Sequence, residues 1–379
     1  MACKVCFWMR NPSPHQSAFF DALAQDERVD IQVRYFGQLS DDRVKLGWNV
    51  TAELENYEQF IDDSDVNKAL IDIPDWPDRI HIIMGKGFDF NNKLLLILLQ
   101  KNLKWIHWGE RYGISLASLL KFNMNFFHFI HTVSLWKKRI GYGRIVNKYA
   151  LGAFAQGELA KKDFISMGIS ENKIENLFYT IKPILNSKNL SHILPEKKFK
   201  HNFIYVGALT HRKGIDLMLK AFAKINTQDW GLILIGEDRS NGLYSKMIDH
   251  LNITENVLII GSVPIVQVHE FIKIADVLIL PSRFDGWGAV LNEAALLGKA
   301  MIASNEVGAS FHLIKHAKNG FRVKEGSVQA LKDAMQVYAN NPQYIDDHGR
   351  ISSEVYNDFT PEANVERFLN AIVKWESGQ

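Results

Sequence analysis

The sequence predicts an α/β protein built from two doubly wound, Rossmann-like domains that face a central cleft. Three observations carry that expectation. At 379 residues the chain exceeds the ~250–300 residues at which a single core stops growing. Short apolar runs alternate with helix-length amphipathic segments, the pattern of parallel βαβ units. The alternation occurs twice, with a polar, proline-containing stretch between the two series.

The first series opens with "KVCFWM" (4–9). Cys3 and Cys6 lie three apart, so a strand turns them to opposite sides; without a second cysteine pair they form no zinc site. A reducing compartment is expected. The loop "RNPSPHQSAFF" (10–20) follows, stiffened by Pro12 and Pro14, with His15 directed either into the cleft or into a surface turn. Further strands are expected at "DIQVRYF" (30–36), "RIHIIM" (79–84) and "LKWIHW" (103–108). The last puts His107 at a strand end between Trp105 and Trp108, as a site residue or as a satisfied core histidine. Glu110 and Arg111 come next.

Charge is distributed unevenly. The formal net charge of +2 argues against a polyanion binder, and no nucleic-acid partner is expected. Residues 1–90 carry 9 Lys/Arg against 16 Asp/Glu, whereas 91–150 carry 10 against Glu110 alone. Within that basic block, "KFNMNFFHFIHTVSLWKKR" (121–139) places Phe122, Phe126, Phe129, Ile130 and Val133 on one helix face. Trp136, Lys137, Lys138 and Arg139 follow. The 121–148 region either lies on an anionic membrane surface or packs its phenylalanines inward. The N-terminus lacks the apolar region of a signal peptide. "LLLILL" (94–99) is far shorter than the ~20 residues of a membrane span. A cytoplasmic chain is expected, with any membrane contact peripheral and on the inner face.

The stretch 176–202 has no sustained period and reads as the linker. Strands resume at 202–208, 230–236, 256–261, 275–281 and 299–304, with helices such as 214–225 and 329–340 between them. In "FIYVGALTHRKGIDLML" (203–219) a strand ends at Gly207 and a helix starts near Gly214. Arg212 and Lys213 sit at the positive end of that helix, where an anion is favoured; the alternative is a solvated pair. "ADVLILP" then leads into "SRFDGWGAVLNEAALLGKA". Its glycines let the backbone approach a ligand, and its helix closes at Gly298. Asp285 stands in the turn and Glu293 about five residues inside the helix. An acid, a cationic cradle and a second acid suit a nucleotide-sugar. The alternative is that Asp285 caps the helix and Glu293 is solvated.

Together these motifs resemble retaining glycosyltransferases of family 4, also described as glycosyl transferases group 1, with the GT-B fold. The resemblance is strongest over roughly 199–325, including "NEVGASFHLIKHAKNGFRV". It implies a donor-binding domain over 199–361 and an acceptor-binding domain over 1–185. The latter is completed by a helix at 362–379, in the C-terminal region of "DFTPEANVERFLNAIVKW" (358–375), that crosses back to it. It further implies that Glu293 binds the nucleotide ribose. Asp285 and the amides of Gly286, Trp287 and Gly288 would hold the sugar and distal phosphate, and Gly207 would line the donor loop. Arg212 and Lys213 would neutralise the pyrophosphate, and Val263 would contact the base. His107 would lie near the transferred sugar, with His15, Glu110 and Arg111 on the acceptor side. Arg111 would pair with Glu110 or contact an acceptor anion. Two positions depart from the family pattern: Asp285 stands where the acid is usually Glu, and Ala208 where Arg often follows the glycine.

The implied activity moves a hexose-type sugar from a nucleotide diphosphate sugar, with no metal or other cofactor, to a hydroxyl of a saccharide or lipid-linked saccharide. Lipopolysaccharide, O-antigen or capsule synthesis in bacteria is the expected setting. The rivals are a GT-B nucleotide-sugar epimerase and a non-catalytic GT-B partner subunit.

Overall fold

The computed structural model describes residues 2–37, 54–85, 89–112, 124–181, 199–225 and 228–378. The chain divides into two compact units. One comprises Met1–Ile114, Phe129–Lys182 and Phe359–Gln379, the other Ser115–His128 and Pro183–Asp358.

In the first unit the chain runs β1 (Cys3–Met9), α1 (Pro14–Gln25), β2 (Val29–Tyr35), β3 (Glu58–Phe60), α2 (Val66–Ile71), β4 (Ile80–Met84), α3 (Asp89–Gln100), β5 (Trp105–Gly109), α4 (Met124–Ile140, of which Phe129–Ile140 belong to this unit), α5 (Tyr142–Tyr149), β6 (Gly152–Ala155), α6 (Glu158–Ser166) and β7 (Ile174–Asn176). The strands form a parallel sheet in the order β3-β2-β1-β4-β5-β6-β7. Strand alternation builds a core on each face. Val5, Phe7 and Met9 of β1 pack with Phe19 and Phe20 on one side. Cys6 and Trp8 pack with Leu94 and Leu98 on the other. The two cysteines are free and face opposite sides, and burial pushes their thiols up to about 11 and about 12. They are inert.

Strands β3, β6 and β7 are absent from the sequence expectation. β6 reads Gly-Ala-Phe-Ala, with little β-branched character, because its small residues make room for a neighbour. A Cβ on Gly152 would come within 2.2 Å of the Trp375 indole. The stretch expected to be a linker also begins as structure. Asn176 ends β7, Leu177 and Phe178 are buried, and the Asn364 amide donates to the Phe178 carbonyl at 2.5 Å. The rest of that linker, 182–198, lies outside the described residues.

The second unit runs β8 (His201–Val206), α7 (Ile215–Phe222), β9 (Trp230–Ile235), α8 (Leu243–His250), β10 (Val257–Gly261), α9 (Ile265–Ile274), β11 (Val277–Leu280), α10 (Val290–Leu296), β12 (Ala300–Ser304), α11 (Ser310–Leu313), β13 (Gly320–Val323), α12 (Val328–Asn340) and α13 (Tyr344–Tyr356). Its parallel sheet has the order β10-β9-β8-β11-β12-β13. The order reverses between β8 and β11, and in such folds ligands bind outside the carboxyl ends of the strands at that switch point. A last helix, α14 (Pro361–Ser377), starts on a Thr360 cap with Pro361 at its first position, where proline costs no hydrogen bond. It returns to the first unit and packs on α1, with Phe368 stacked on Phe154.

Helix α4 has two faces of different character. Phe127, His131 and Leu135 are buried at i, i+4 and i+8. Phe126, Phe129, Trp136 and Ile140 are exposed, Phe129 and Trp136 by 62% and 60%. Lys137, Arg139, Arg144 and Lys148 are exposed as well. Phe122 lies outside the described residues. Among the described residues no helix is long and apolar enough to cross a membrane.

Candidate active site

In the second unit most of the candidate residues lie on the loops after β8 and β11, with Glu293 on α10 and Val263 after β10. Gly207 follows β8, and the buried Tyr205 hydroxyl donates to the Ala208 carbonyl at 3.0 Å. His211–Lys213 make a 3₁₀ turn closed by Gly214, which has φ +75°. A Cβ at Gly214 would lie 2.2 Å from the Pro281 carbonyl oxygen. Only glycine allows this turn to seat against the end of β11.

Arg283, which the sequence reading did not single out, locks the two loops together. It is buried and forks onto Asp216 with two contacts of 2.7 Å. The same guanidinium donates to the His211 carbonyl at 2.6 Å. The Arg283 amide donates to the Arg212 carbonyl at 2.8 Å, and Arg212 Nη1 returns a bond to the Phe284 carbonyl at 2.8 Å. Burial works to raise the Asp216 carboxyl, but the Arg283 fork prevails and holds it below its usual range. A paired, planar fork of this kind fixes geometry as well as charge. The clue in the sequence was an arginine placed directly before the Phe284–Asp285 turn.

Lys213 and Asp285, assigned separate duties from the sequence, form an ion pair with each other. Both side chains are largely buried, and the Ser282 hydroxyl lies 3.4 Å from the same carboxylate oxygen. The Asp285 amide donates to the Glu306 carbonyl at 3.0 Å, tying the turn to the segment after β12. Gly288, at φ +88°, redirects the chain into α10; a Cβ there would lie 2.6 Å from Val307. Gly286 packs against Gly308 across the same turn. The Trp287 side chain points inward, where it is buried and its indole donates to Asn292 at 2.8 Å. Only its backbone can then serve a ligand.

Glu293 is the fourth residue of α10, one turn in and slightly nearer the helix start than expected. It is not solvated: it is 5% exposed. Its Oε2 finds no hydrogen-bond partner among the described residues. Burial alone raises its carboxyl to about 7. The nearest cationic candidate is the buried His269 of α9, with Nε2 at 3.9 Å from Oε2. Burial lowers that imidazole, which disfavours its charged form. Val263, half-buried, stands in the turn between β10 and α9, two residues before that helix. His269 escaped the sequence reading because one histidine on an amphipathic helix carries no spacing signal.

In the first unit His107 is 1% exposed on β5. Its Nδ1 lies 3.0 Å from the Tyr142 hydroxyl, and its Nε2 has no hydrogen-bond partner among the described residues. Burial, with Lys138 adding to it, depresses the imidazole to about 3. That depression disfavours the charged form of the ring. Gly85, after β4, leaves no space for a Cβ, which would lie 2.8 Å from the His107 ring and 2.6 Å from the Tyr112 hydroxyl.

The acceptor-side residues separate into two groups. Tyr179 donates to Glu110, its ring centroid is 6.1 Å from that of His15, and the Thr180 amide donates to the His15 carbonyl at 3.2 Å. Arg111 turns elsewhere. Its Nε lies 3.9 Å from Asp163, a buried carboxylate that also receives the Tyr112 amide at 3.0 Å and faces His131 at 3.1 Å. The sequence offered Glu110 or a bound anion as the partner of Arg111. Asp163, more than 50 residues further on, could be found only through the fold.

Residues 186–358 match the family model described as glycosyl transferases group 1. An uncharacterized 41.2 kDa protein in the cps region of Klebsiella pneumoniae is 29% identical over 186 residues, covering 47% of this chain and 50% of that one. The chain spans about half the length of the curated relatives it matches first. Among solved structures, Anabaena Alr3699/HepE in complex with UDP and glucose superposes with a TM-score of 0.67 at 15% identity, covering 97% of this chain and 100% of that one. An apo lipopolysaccharide outer core galactosyltransferase superposes at 0.66 and 18%, covering 98% and 99%. At such identities the likeness is one of fold: two parallel-sheet, Rossmann-like domains of the GT-B type.

Proposed function

We propose, from the match of residues 186–358 to the glycosyl transferases group 1 model, that the chain moves a hexose from a nucleotide diphosphate sugar to a hydroxyl of a saccharide acceptor. The observation that carries this reading is Glu293. A buried carboxylate with an unpartnered oxygen costs stability unless something supplies hydrogen bonds. A ribose diol offers two donors, and the cationic Arg212 and Lys213 are provided by the neighbouring loop for the phosphates.

The Lys213–Asp285 pair gives the proposal a mechanism of its own. In the free protein the two charges neutralise each other. A pyrophosphate arriving beside Lys213 competes for the ammonium and releases the Asp285 carboxylate to accept sugar hydroxyls. Donor binding then assembles the sugar site. In the transfer itself the bond from the anomeric carbon to the distal phosphate oxygen breaks, and a bond to the acceptor oxygen forms. The acceptor proton passes to the departing phosphate, on the same face, so configuration is retained. Arg212 and Lys213 stabilise the charge that develops on the leaving diphosphate, work for which no metal is needed. The neutral His107 offers a hydrogen bond to the sugar. Glu110 and His15, brought together by Tyr179, are assigned to the acceptor.

The acceptor is proposed to be lipid-linked, as in lipopolysaccharide or capsule assembly. The lipopolysaccharide galactosyltransferase and the cps-region protein among the relatives support that setting. The exposed aromatic and cationic face of α4 supports peripheral contact with an anionic bilayer.

Calorimetric titration with UDP, GDP, ADP, dTDP and CMP tests the donor site. One diphosphate should bind at micromolar concentration, and Glu293→Ala should weaken it at least tenfold with the fold intact. If none binds, the reading fails and a non-catalytic partner subunit takes its place.

A further inference from the structure

Asp163 lies on α6, away from both segments that meet it. Its carboxylate is buried. Tyr112 donates its amide to Oδ2 at 3.0 Å, His131 Nε2 lies 3.1 Å from the same oxygen, and Arg111 Nε lies 3.9 Å away. A carboxylate is taken out of water only where such groups compensate it. Two of the three partners belong to the segment that follows β5, and the third to α4.

That segment is in contact with His107. The Tyr112 ring stacks on the His107 ring, with centroids 6.5 Å apart and planes 11° from parallel. Phe164, the next residue after Asp163, sits 4.8 Å from the His107 ring and 6.1 Å from that of Tyr112. Lys138 of α4 places Nζ 4.3 Å from the centre of the Tyr112 ring. Helix α4 thus reaches the His107 surroundings twice, through His131 and through Lys138. Both residues leave the helix on the side away from its exposed aromatic stripe.

We infer that Asp163 is a positioning residue. By gathering the Tyr112 amide, Arg111 and His131 it fixes the Glu110–Tyr112 segment, and with it the His107 ring, against α4. The inference rests on the reading of His107 as a residue that faces the transferred sugar. Displacement of a positioned group by ~1 Å is enough to cost about 10²-fold in rate.

The test uses the full chain with Asp163→Ala and Asp163→Asn. Hydrogen exchange reads the Tyr112 amide directly, calorimetry reads UDP affinity, and slow hydrolysis of UDP-glucose, with water as acceptor, reads turnover. In Asp163→Ala the Tyr112 amide should exchange at least tenfold faster while Trp105–Gly109 keeps its protection. UDP affinity should stay within twofold of the parent, and hydrolysis should fall about 10²-fold. Asp163→Asn keeps an acceptor for the amide but loses the charge that draws Arg111 and His131, so its effects should be intermediate. It decides alone if the alanine variant does not fold. Unchanged exchange at Tyr112 in the folded variants overturns the inference, as does turnover within threefold of the parent. Where the parent neither binds UDP nor hydrolyses UDP-glucose, the exchange measurement alone judges Asp163, and the functional reading fails only if GDP, ADP, dTDP and CMP are not bound either.

Discussion

Two buried titratable side chains, one in each unit, are held neutral by the same cause with opposite consequences for pH. His107 is depressed to about 3 and Glu293 is raised to about 7, in both cases by burial. For Glu293 the folded protein keeps its proton up to about 7, whereas the unfolded chain releases it near 4.5. Between those values the folded state binds more protons, so its stability falls as pH rises, and the loss is complete above about 7. Its full size is on the order of 3 kcal/mol. Glu293→Gln removes the effect. Relative to the parent, the variant's second unit should gain that amount between pH 4.5 and pH 8, measured by urea unfolding at both values. An equal difference between the two proteins at both values would mean that Glu293 is not the strained group described. The parent's nucleotide affinity should also weaken as pH falls through 7, with a proton released on binding, and the variant should lose this dependence. A ligand that pairs the carboxylate thereby recovers stability lost at the site.

At the level of single elements the helix α4 makes the clearest prediction. Its outer face carries Phe126, Phe129, Trp136 and Ile140, so polar residues there should not disturb the core. Phe129→Ser with Trp136→Ser should change stability by no more than about 0.5 kcal/mol. Sedimentation with vesicles containing phosphatidylglycerol should show the parent bound and the double variant free, while neutral phosphatidylcholine vesicles should bind neither. Equal pelleting of the parent and the variant by anionic vesicles would remove α4 as the docking element. The element scale also separates what was legible in the sequence from what was not. Long apolar strands such as β8, β9 and β11 announced themselves, because burial on both faces demands continuous apolar runs. The Gly214 and Gly298 turns were readable because they need positive φ. β6 was not, since its sequence answers to the Trp375 ring rather than to strand propensity. Within the candidate site, Arg212, Lys213 and Asp285 of the loops and Glu293 of α10 could be singled out from motif spacing. Their connections could not. The Lys213–Asp285 pair, the Arg283–Asp216 fork and the Asp163 cluster all join residues more than 30 positions apart, and only the sheet order brings them together.

For the molecule as a whole, the division into units does not follow the chain. Phe359–Gln379 belongs to the first unit although the second lies before it in sequence. Val365, Phe368, Ile372 and Trp375 of α14 are buried in a core that includes Phe7, Phe19 and Phe154. At ~2 kcal/mol for each large apolar side chain, their removal costs about 8 kcal/mol, comparable with the ~5–15 kcal/mol by which a domain is stable at all. Truncation after Asp358 should therefore abolish the cooperative unfolding of the first unit, although no residue of its parallel sheet is touched. The second unit keeps its sheet, the Arg283 fork and Glu293, and should unfold as before. Scanning calorimetry of the full and truncated chains, each with and without the nucleoside diphosphate that binds, distinguishes these outcomes. The full chain should show two transitions, the nucleotide should raise the one that survives truncation, and the other should be missing from the shorter protein. Persistence of both transitions would show that α14 covers the first unit without completing its core. Loss of both would show that the second unit depends on the first for its stability, a dependence that its own continuous hydrophobic sheet gives no reason to expect.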